Sequence, residues 1–327
     1  MIPFEYIKSG SLESAIASKA KNNGGSFIAG GTNLVDLMKR GVTAPEKLID
    51  ITNLPLNTIE QKKDALFIGA MVRNSVAAED PLILQNYPLL SLAIKAGASQ
   101  QIRNMATTGG NLLQRTRCPY FYDTVTPCNK REPGTGCSAL KGYNRMHAIF
   151  GTNENCIAVH PSDMCVSLSA LNASVIIQNS KGTRLIPITE FHRLPGTEPQ
   201  KDTILEAGEL ITGVQVPSNG FQKHVSYLKI RDRSSYAFAL ISVAAALDIK
   251  SGVIQEARLA MGGVAHKPWR LTEAEHLLKG LPANEASFNK AATVAMHGAK
   301  AYGFNNFKLK MAPKAIVQSL KQASGLV

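Results

Sequence analysis

The sequence predicts an α+β protein: two connected α/β lobes, then a separate α+β lobe carrying a three-stranded antiparallel sheet and helices. Three observations carry that reading. Up to about residue 217, short apolar strands alternate with helical segments whose apolar residues share one face. From His224 onward the order changes to three apolar or alternating stretches followed by three helical ones, strands gathered before helices. Between residues 107 and 165 neither period holds, and all five cysteines fall there. These features divide the chain into residues 1–55, residues 56–219 with an insertion at about 115–158, and residues 222–327, with Pro217 to Gln222 as a linker.

In the first lobe, Ser11 followed by Glu13 and Ser14 gives a capping-box start to a helix with Leu12, Ala15, Ile16 and Ala20 on one face. A short apolar strand from Ser26 then runs into Gly30-Gly31-Thr32-Asn33 and a helix beginning near Leu34. Free backbone N–H groups and small side chains at such a junction admit a phosphate, and a plain strand-to-helix turn uses the same residues. The motif is neither G-x-G-x-x-G nor G-x-x-x-x-G-K-[ST], which disfavours Rossmann and Walker folds. Leu48 to Ile51 reads as a strand beside the first. After the turn-rich Asn53 to Asp64, Leu66 to Val72 opens the second lobe, and helices follow at about Ser75–Glu79 and Pro88–Ala98.

A second paired glycine comes next, Thr108-Gly109-Gly110-Asn111. Glycine removes side chains where backbone must touch something, and Asn111 offers both donors and an acceptor. Two such turns feeding one large ligand say more than either alone. Beyond the cysteine-bearing stretch, Met164 to Leu171 reads as a helix capped near Ser162 or Asp163, followed by a hairpin over Asn179 to Gly182 and a strand from Glu209 to Pro217. In the third lobe, strands at His224–Ile230, Ala239–Ile249 and Ile254–Val264 precede helices at Thr272–Leu278, Glu285–Gly298 and Lys314–Ala323, with Arg231-Asp232-Arg233 at the mouth of the first strand.

Composition excludes several classes. A 327-residue chain that is 44% hydrophobic and 18% charged is an ordinary globular protein. Its net charge of +12 comes without a Lys/Arg block or an aromatic-interleaved basic stripe, so no nucleic-acid partner is expected. No apolar run approaches the roughly 20 residues of a membrane span, and Met1 to Lys8 lacks the basic start and apolar core of a signal peptide. No Ser-His-Asp order, H-E-x-x-H or paired catalytic carboxylates stand out. The expectation is an electron-carrying module that breaks no substrate bond itself.

Cys118, Cys128, Cys137 and Cys156 are irregularly spaced along a loop with too few apolar residues to pack itself, so a metal clasp is expected. The absence of a C-x₂₋₄-C pair weakens zinc, and the plain ferredoxin runs are absent too. Arg115, Arg117, Lys130, Arg131 and Lys141 nearby suit an anionic cluster. Spacing alone therefore leaves iron–sulfur, zinc and unligated thiols open. Cys165 reads as a small buried helix residue, and His147 and His160, flanking Cys156, as hydrogen-bonding loop residues before ligands.

Several strings resemble one family: Phe27-Ile28-Ala29-Gly30-Gly31-Thr32-Asn33-Leu34, Ile102-Arg103-Asn104 with Thr107 to Asn111, the Ser162-Asp163 pair, Gly208 to Ile211, and Lys229. They are similar to the FAD-binding subunits of xanthine oxidase-family molybdenum hydroxylases, over nearly the whole chain. Arg115 to Thr124, Cys128 to Arg131, Ser234 to Leu240 and Gly262 to Arg270 resemble in particular the medium subunit of bacterial periplasmic aldehyde oxidoreductases.

The resemblance implies a two-lobed FAD-binding domain of the vanillyl-alcohol-oxidase (PCMH) type and a C-terminal domain of the CO dehydrogenase flavoprotein type. Ala29 to Leu34, preceded by Phe27 and Ile28, and Thr108, Gly109, Gly110 and Asn111 would wrap the FAD pyrophosphate. Asp163 would bond the adenosine side or the flavin's polar tail, with Leu210 and Lys229 near the base or ring edge. Cys118, Cys128, Cys137 and Cys156 match the ligands of a [4Fe–4S] cluster. The implied partners are a large molybdopterin subunit that oxidises an aldehyde, a small subunit with two [2Fe–2S] clusters, and an external electron acceptor. Relatives are exported bound to a signal-bearing partner, so the periplasm is expected on that route and the cytoplasm otherwise. A hydroxybenzoyl-CoA reductase-like or xanthine dehydrogenase-like complex is the alternative within the family, and a basic zinc-binding nucleic-acid module the alternative outside it.

Overall fold

The computed structural model describes residues 1–22 and 24–327. Three sheets organise them. The first is parallel, with Lys47–Asp50 between Glu5–Lys8 and Gly25–Ile28. Its helix Leu12–Ala20 starts on the expected reciprocal cap, Ser11 Oγ accepting from the Ser14 N–H and Ser14 Oγ from the Ser11 N–H. Glu5–Lys8 gives no sequence signal because it is mostly exposed; it forms by pairing with the free edge of Lys47–Asp50.

The second sheet is antiparallel, in the order Ile59–Lys62, Ala65–Gly69, Leu210–Pro217, Ser174–Asn179, Gly182–Pro187. Leu210–Pro217 is buried along most of its length because it joins both hairpins. Ile59–Lys62 falls where the sequence reads as turn; its Ile-Glu-Gln-Lys is a solvent-facing edge without alternation. Helices Pro88–Ala96 and Asp163–Ala170 pack on each other and share one core with this sheet, in which Leu89, Leu90, Ile94, Met164, Val166 and Leu168 cluster with Val175, Ile177, Val214 and Val216. Every residue of Asp163–Ala170 is buried, because its other side meets the third sheet. Ala244, Ala246 and Ala260 of that sheet belong to the same core, so the second and third lobes are packed into each other.

The third sheet contains the three expected antiparallel strands, Val225–Ile230, Ile241–Lys250 and Val253–Gly262, and a fourth of two residues, Trp269–Arg270. Trp269 stacks on Phe150 at a centroid distance of 5.0 Å, which holds this short strand against Ala260 and Met261. Helices Thr272–Leu278, Glu285–Ala295 and Phe307–Ser324 cover the remaining face. The last begins seven residues before the predicted start at Lys314, with Pro313 inside it. The missing N–H costs a helical bond, and buried Lys308, Ala312, Ala315, Ile316 and Leu320 carry the helix through that point.

Residues 115–158 are irregular apart from short turns at Pro119–Tyr122 and Ser138–Leu140. The loop packs more apolar surface than its composition indicates. Phe121, Ala139, Ile157 and Ala158 gather around three of the thiols, and Leu37 and Val42 of the first lobe complete this small core. Polar ties add to it: Arg131 donates to the carbonyls of Tyr120, Phe121 and Thr126. Lys130 Nζ lies 2.5 Å from Asp202 Oδ1 and Arg115 Nε 2.7 Å from Asp202 Oδ2.

Candidate functional site

The two glycine turns line one cavity of about 1050 Å³, walled by all three lobes. They are brought together by backbone contact: a Cβ on Gly30 would sit 1.9 Å from the Met105 carbonyl oxygen, so only glycine lets the first turn lie against the segment leading into the second. Gly31 has φ +69°, the left-handed region. Gly110 differs. A Cβ there would meet only Thr107 Oγ1, at 3.0 Å, and the position is exposed to the cavity.

Phe27 to Leu34, Gly109, Gly110, Asn111, Asp163 and Leu210 all line the cavity. Thr108 and Lys229 stand one layer behind. Thr108 is buried and donates its hydroxyl to the Val72 carbonyl at 3.1 Å. Lys229 Nζ lies 2.7 Å from Asp163 Oδ2 and 3.0 Å from the Ala96 carbonyl, while Asp163 Oδ1 accepts from the Tyr227 hydroxyl at 2.7 Å. This buried pair joins the helix that starts at Asp163 to the third lobe's first strand. Burial, with Asp163 adding to it, raises the Tyr227 phenol far above its ordinary range. Asn111 Oδ1 accepts from Ser162 Oγ, which also caps that helix by accepting from the Cys165 N–H.

Nothing in the sequence pattern marks Asn74, which lines the cavity from the start of helix Asn74–Glu79. A polar residue opening a short helix looks like any solvent-facing position. Asn74 Oδ1 and Asn33 Nδ2 are both buried without a protein partner, one an acceptor and one a donor. A polar ligand in the cavity would satisfy them. Tyr236 and Phe238, with Asp232 and Arg233, bring the third lobe to the rim, where the Arg231-Asp232-Arg233 string and the Ser234 to Leu240 resemblance both fall.

Cys118, Cys128 and Cys156 are buried and Cys137 is partly so, with Cys128 and Cys137 on a two-residue backbone bridge. Burial pushes the Cys118 thiol up to about 12, against the pull of the Phe121 and Tyr120 N–H groups. The Cys156 thiol, aided by the N–H groups of Ala139, Ile157 and Leu140, holds Cys137 down at about 6. Cys156 is itself raised well above the thiol range by that bond and by burial, although the Ala158 N–H and Lys130 oppose it. Cys165 lies elsewhere, in the core of the second lobe, where its thiol and one ring nitrogen each of His160 and His192 fall within 4.8 Å of one another. Among the described residues no helix is long and apolar enough to cross a membrane.

Known proteins share this fold and its two-domain division. Residues 2–219 match the FAD binding domain in molybdopterin dehydrogenase, and residues 226–321 the CO dehydrogenase flavoprotein C-terminal domain. The chain belongs to the family of FAD-binding subunits of molybdopterin dehydrogenases, the medium subunits of the xanthine oxidase family. Among its relatives, the aldehyde oxidoreductase FAD-binding subunit PaoB of Escherichia coli is 46% identical over 325 residues, 99% of each chain. The glyceraldehyde dehydrogenase medium chain of Sulfolobus acidocaldarius is 28% identical, over 86% of this chain and 83% of its own. In fold, the chain is similar to quinoline 2-oxidoreductase from Pseudomonas putida 86, with a TM-score of 0.76 at 25% identity over 99% of this chain and 98% of that one. Carbon monoxide dehydrogenase from Hydrogenophaga pseudoflava gives a TM-score of 0.78 at 24% identity over 99% of each.

Proposed function

We propose that this chain is the electron-transfer subunit of a molybdenum-dependent aldehyde oxidoreductase, carrying FAD in the cavity and a [4Fe–4S] cluster on Cys118, Cys128, Cys137 and Cys156. One observation carries the reading: a cavity of dinucleotide size, walled by two glycine turns and holding unpartnered amide atoms of Asn33 and Asn74, stands beside a small core that gathers Cys118, Cys128, Cys137 and Cys156, three of them with backbone N–H groups close to sulfur. The sequence relationship to an aldehyde oxidoreductase FAD-binding subunit supports the substrate class.

Flavin, when bound, exchanges electrons singly or in pairs. The chain's own work is to hold it. Gly110 leaves the cavity wall open, Asn33 and Asn74 supply a donor and an acceptor, and Leu210 and Ile28 give apolar wall. At the thiols, N–H groups directed at sulfur favour an anion spread over several sulfurs, the charge state of an iron–sulfur centre. The partners are then a large molybdopterin subunit, where aldehyde and water become carboxylic acid, and a small [2Fe–2S] subunit that passes the electrons to this chain. An external acceptor takes them onward.

An absorption spectrum with metal analysis of the purified complex tests this. Flavin bands, a broad brown shoulder and four irons assignable to this chain are expected, as a four-thiolate cluster requires. A yellow subunit with zinc on its thiols would overturn the cluster, and one without flavin would overturn the cavity assignment.

A further inference from the structure

Residue His147 is buried, with Nε2 3.1 Å from the Cys118 sulfur and Nδ1 without a partner. A neutral imidazole carries one N–H and a metal-bound thiolate only accepts, so a hydrogen bond across this contact puts the proton on Nε2. The backbone holds the ring in place: the His147 N–H donates to the Asn144 carbonyl at 3.0 Å, and the His147 carbonyl accepts from Asn305 Nδ2 at 3.3 Å and from Lys308 Nζ at 2.9 Å.

Lys308 is the second observation. It is fully buried in the helix Phe307–Ser324, bonded only to the carbonyls of His147 and Gly263, and among the described residues no carboxylate pairs with it. An ammonium buried without a counter-charge is expensive; burial, with Arg145 adding to it, draws this one's pKa down to about 7. An anion close by would offset that cost, and four thiolates around an iron–sulfur cluster are net negative. Both features lie on one side of the loop. Arg117 and Met146, the chain neighbours of Cys118 and His147, line the large cavity and also a smaller one of about 190 Å³ onto which Cys118 and His147 face.

We propose that His147 and Lys308 are positioning residues for the cluster's redox state: His147 donates Nε2–H to the Cys118 thiolate, and Lys308 fixes the His147 backbone while adding positive charge, together raising the cluster's reduction potential. This inference rests on the [4Fe–4S] reading. A hydrogen bond to a ligating sulfur and a nearby cation both stabilise the reduced, more negative cluster, so both act in the same direction.

The test is an EPR-monitored redox titration of the assembled complex, with iron counted in parallel. His147→Ala is expected to keep four irons on this chain and titrate at a more negative potential. His147→Gln, which keeps a donor, should return part of the shift, and Lys308→Met should shift the same way as His147→Ala. Variants holding four irons and titrating at the wild-type potential would overturn the inference and leave the cluster assignment standing. A wild-type chain without iron would overturn both. Should His147→Ala lose the cluster, Lys308→Met and His147→Gln decide: an unchanged potential in both refutes the proposal, and a negative shift in Lys308→Met supports it.

Discussion

The Asp163–Lys229 pair separates two roles for one residue at the cavity wall. Both carboxylate oxygens of Asp163 already have protein partners, Tyr227 and Lys229, and the two charged side chains are 7% and 3% exposed. Asp163→Ala would leave the Lys229 ammonium buried with only the Ala96 carbonyl, the situation in which breaking a buried pair costs about 3–5 kcal/mol. Lys229→Met alone should cost less, because Asp163 keeps the Tyr227 hydroxyl. The double variant Asp163→Ala/Lys229→Met buries no net charge and should recover much of the loss, giving a coupling of about 2 kcal/mol or more. The measurement is urea denaturation of the flavin-free chain followed by the fluorescence of Trp269, its single tryptophan, which reports from the third lobe. If Asp163→Ala left the flavin-free midpoint where it was and lowered flavin affinity alone, Asp163 would be a cofactor ligand first and the inter-lobe pair nearly worthless.

Three further outcomes are expected. Gly30→Ala should destabilise the flavin-free chain by more than the about 1–3 kcal/mol typical of overpacking, since its Cβ meets a backbone carbonyl at 1.9 Å, whereas Gly110→Ala should leave that stability nearly unchanged and weaken flavin retention; equal denaturation midpoints for the two flavin-free variants would refute the distinction. Cys165→Ser should keep four irons, with a stability loss of about 1–3 kcal/mol if the hydroxyl finds no partner, and iron loss from folded Cys165→Ser protein would put Cys165 among the ligands. Burial holds His192 at about 4 and His266 at about 3, so both stay neutral in the folded chain while the unfolded chain takes up protons below about 6.5; stability should be full above that pH and fall as pH drops from about 6.5 towards 4 and 3, and a flat denaturation midpoint between pH 7 and 4.5 would contradict it.

What the sequence showed of the fold was whatever carried a period. The buried strands Leu210–Pro217, Ile241–Lys250 and Val253–Gly262 and the helix Pro88–Ala96 were legible because their apolar residues face one core. Glu5–Lys8, Ile59–Lys62 and Trp269–Arg270 were not, because each is held by a neighbour's edge or by a stacked ring. At the site, glycine pairs and clustered cysteines announce themselves locally, but their partners come from distant segments. Asn74, Lys308 and His147 look ordinary until folding places them. Gly30 shows the converse: the motif was visible, while the reason for its first glycine, the Met105 carbonyl, lay 75 residues away.

The cysteine loop is attached to all three lobes, and this bears on how the flavin cavity and the proposed cluster site depend on each other. Leu37 and Val42 of the first lobe complete its core, and Asp202 of the second takes the charges of Arg115 and Lys130. Burial opposes the charge on Asp202, yet Lys130 and Arg115 outweigh it and hold the carboxyl at about 2, so this tie persists throughout the neutral range. From the third lobe, Asn305 and Lys308 grip the His147 carbonyl, and Val264 O accepts from the N–H groups of Ile149 and Phe150. Those same lobes wall the flavin cavity, which also takes Arg117 and Met146 from the loop. Metal bound by the four thiols would therefore tighten contacts that shape the flavin's surroundings, since metal-binding free energy is spent on the conformation that presents the ligands. The glycine turns lie outside the loop, on strand and helix ends, and one bond ties the first of them to it, the Arg115 N–H donating to Asn33 Oδ1 at 2.9 Å. Emptying the proposed cluster site should therefore loosen the flavin cavity on the Arg117–Met146 side before it disturbs the glycine turns, so the dependence runs from the thiol site to the flavin more than the reverse.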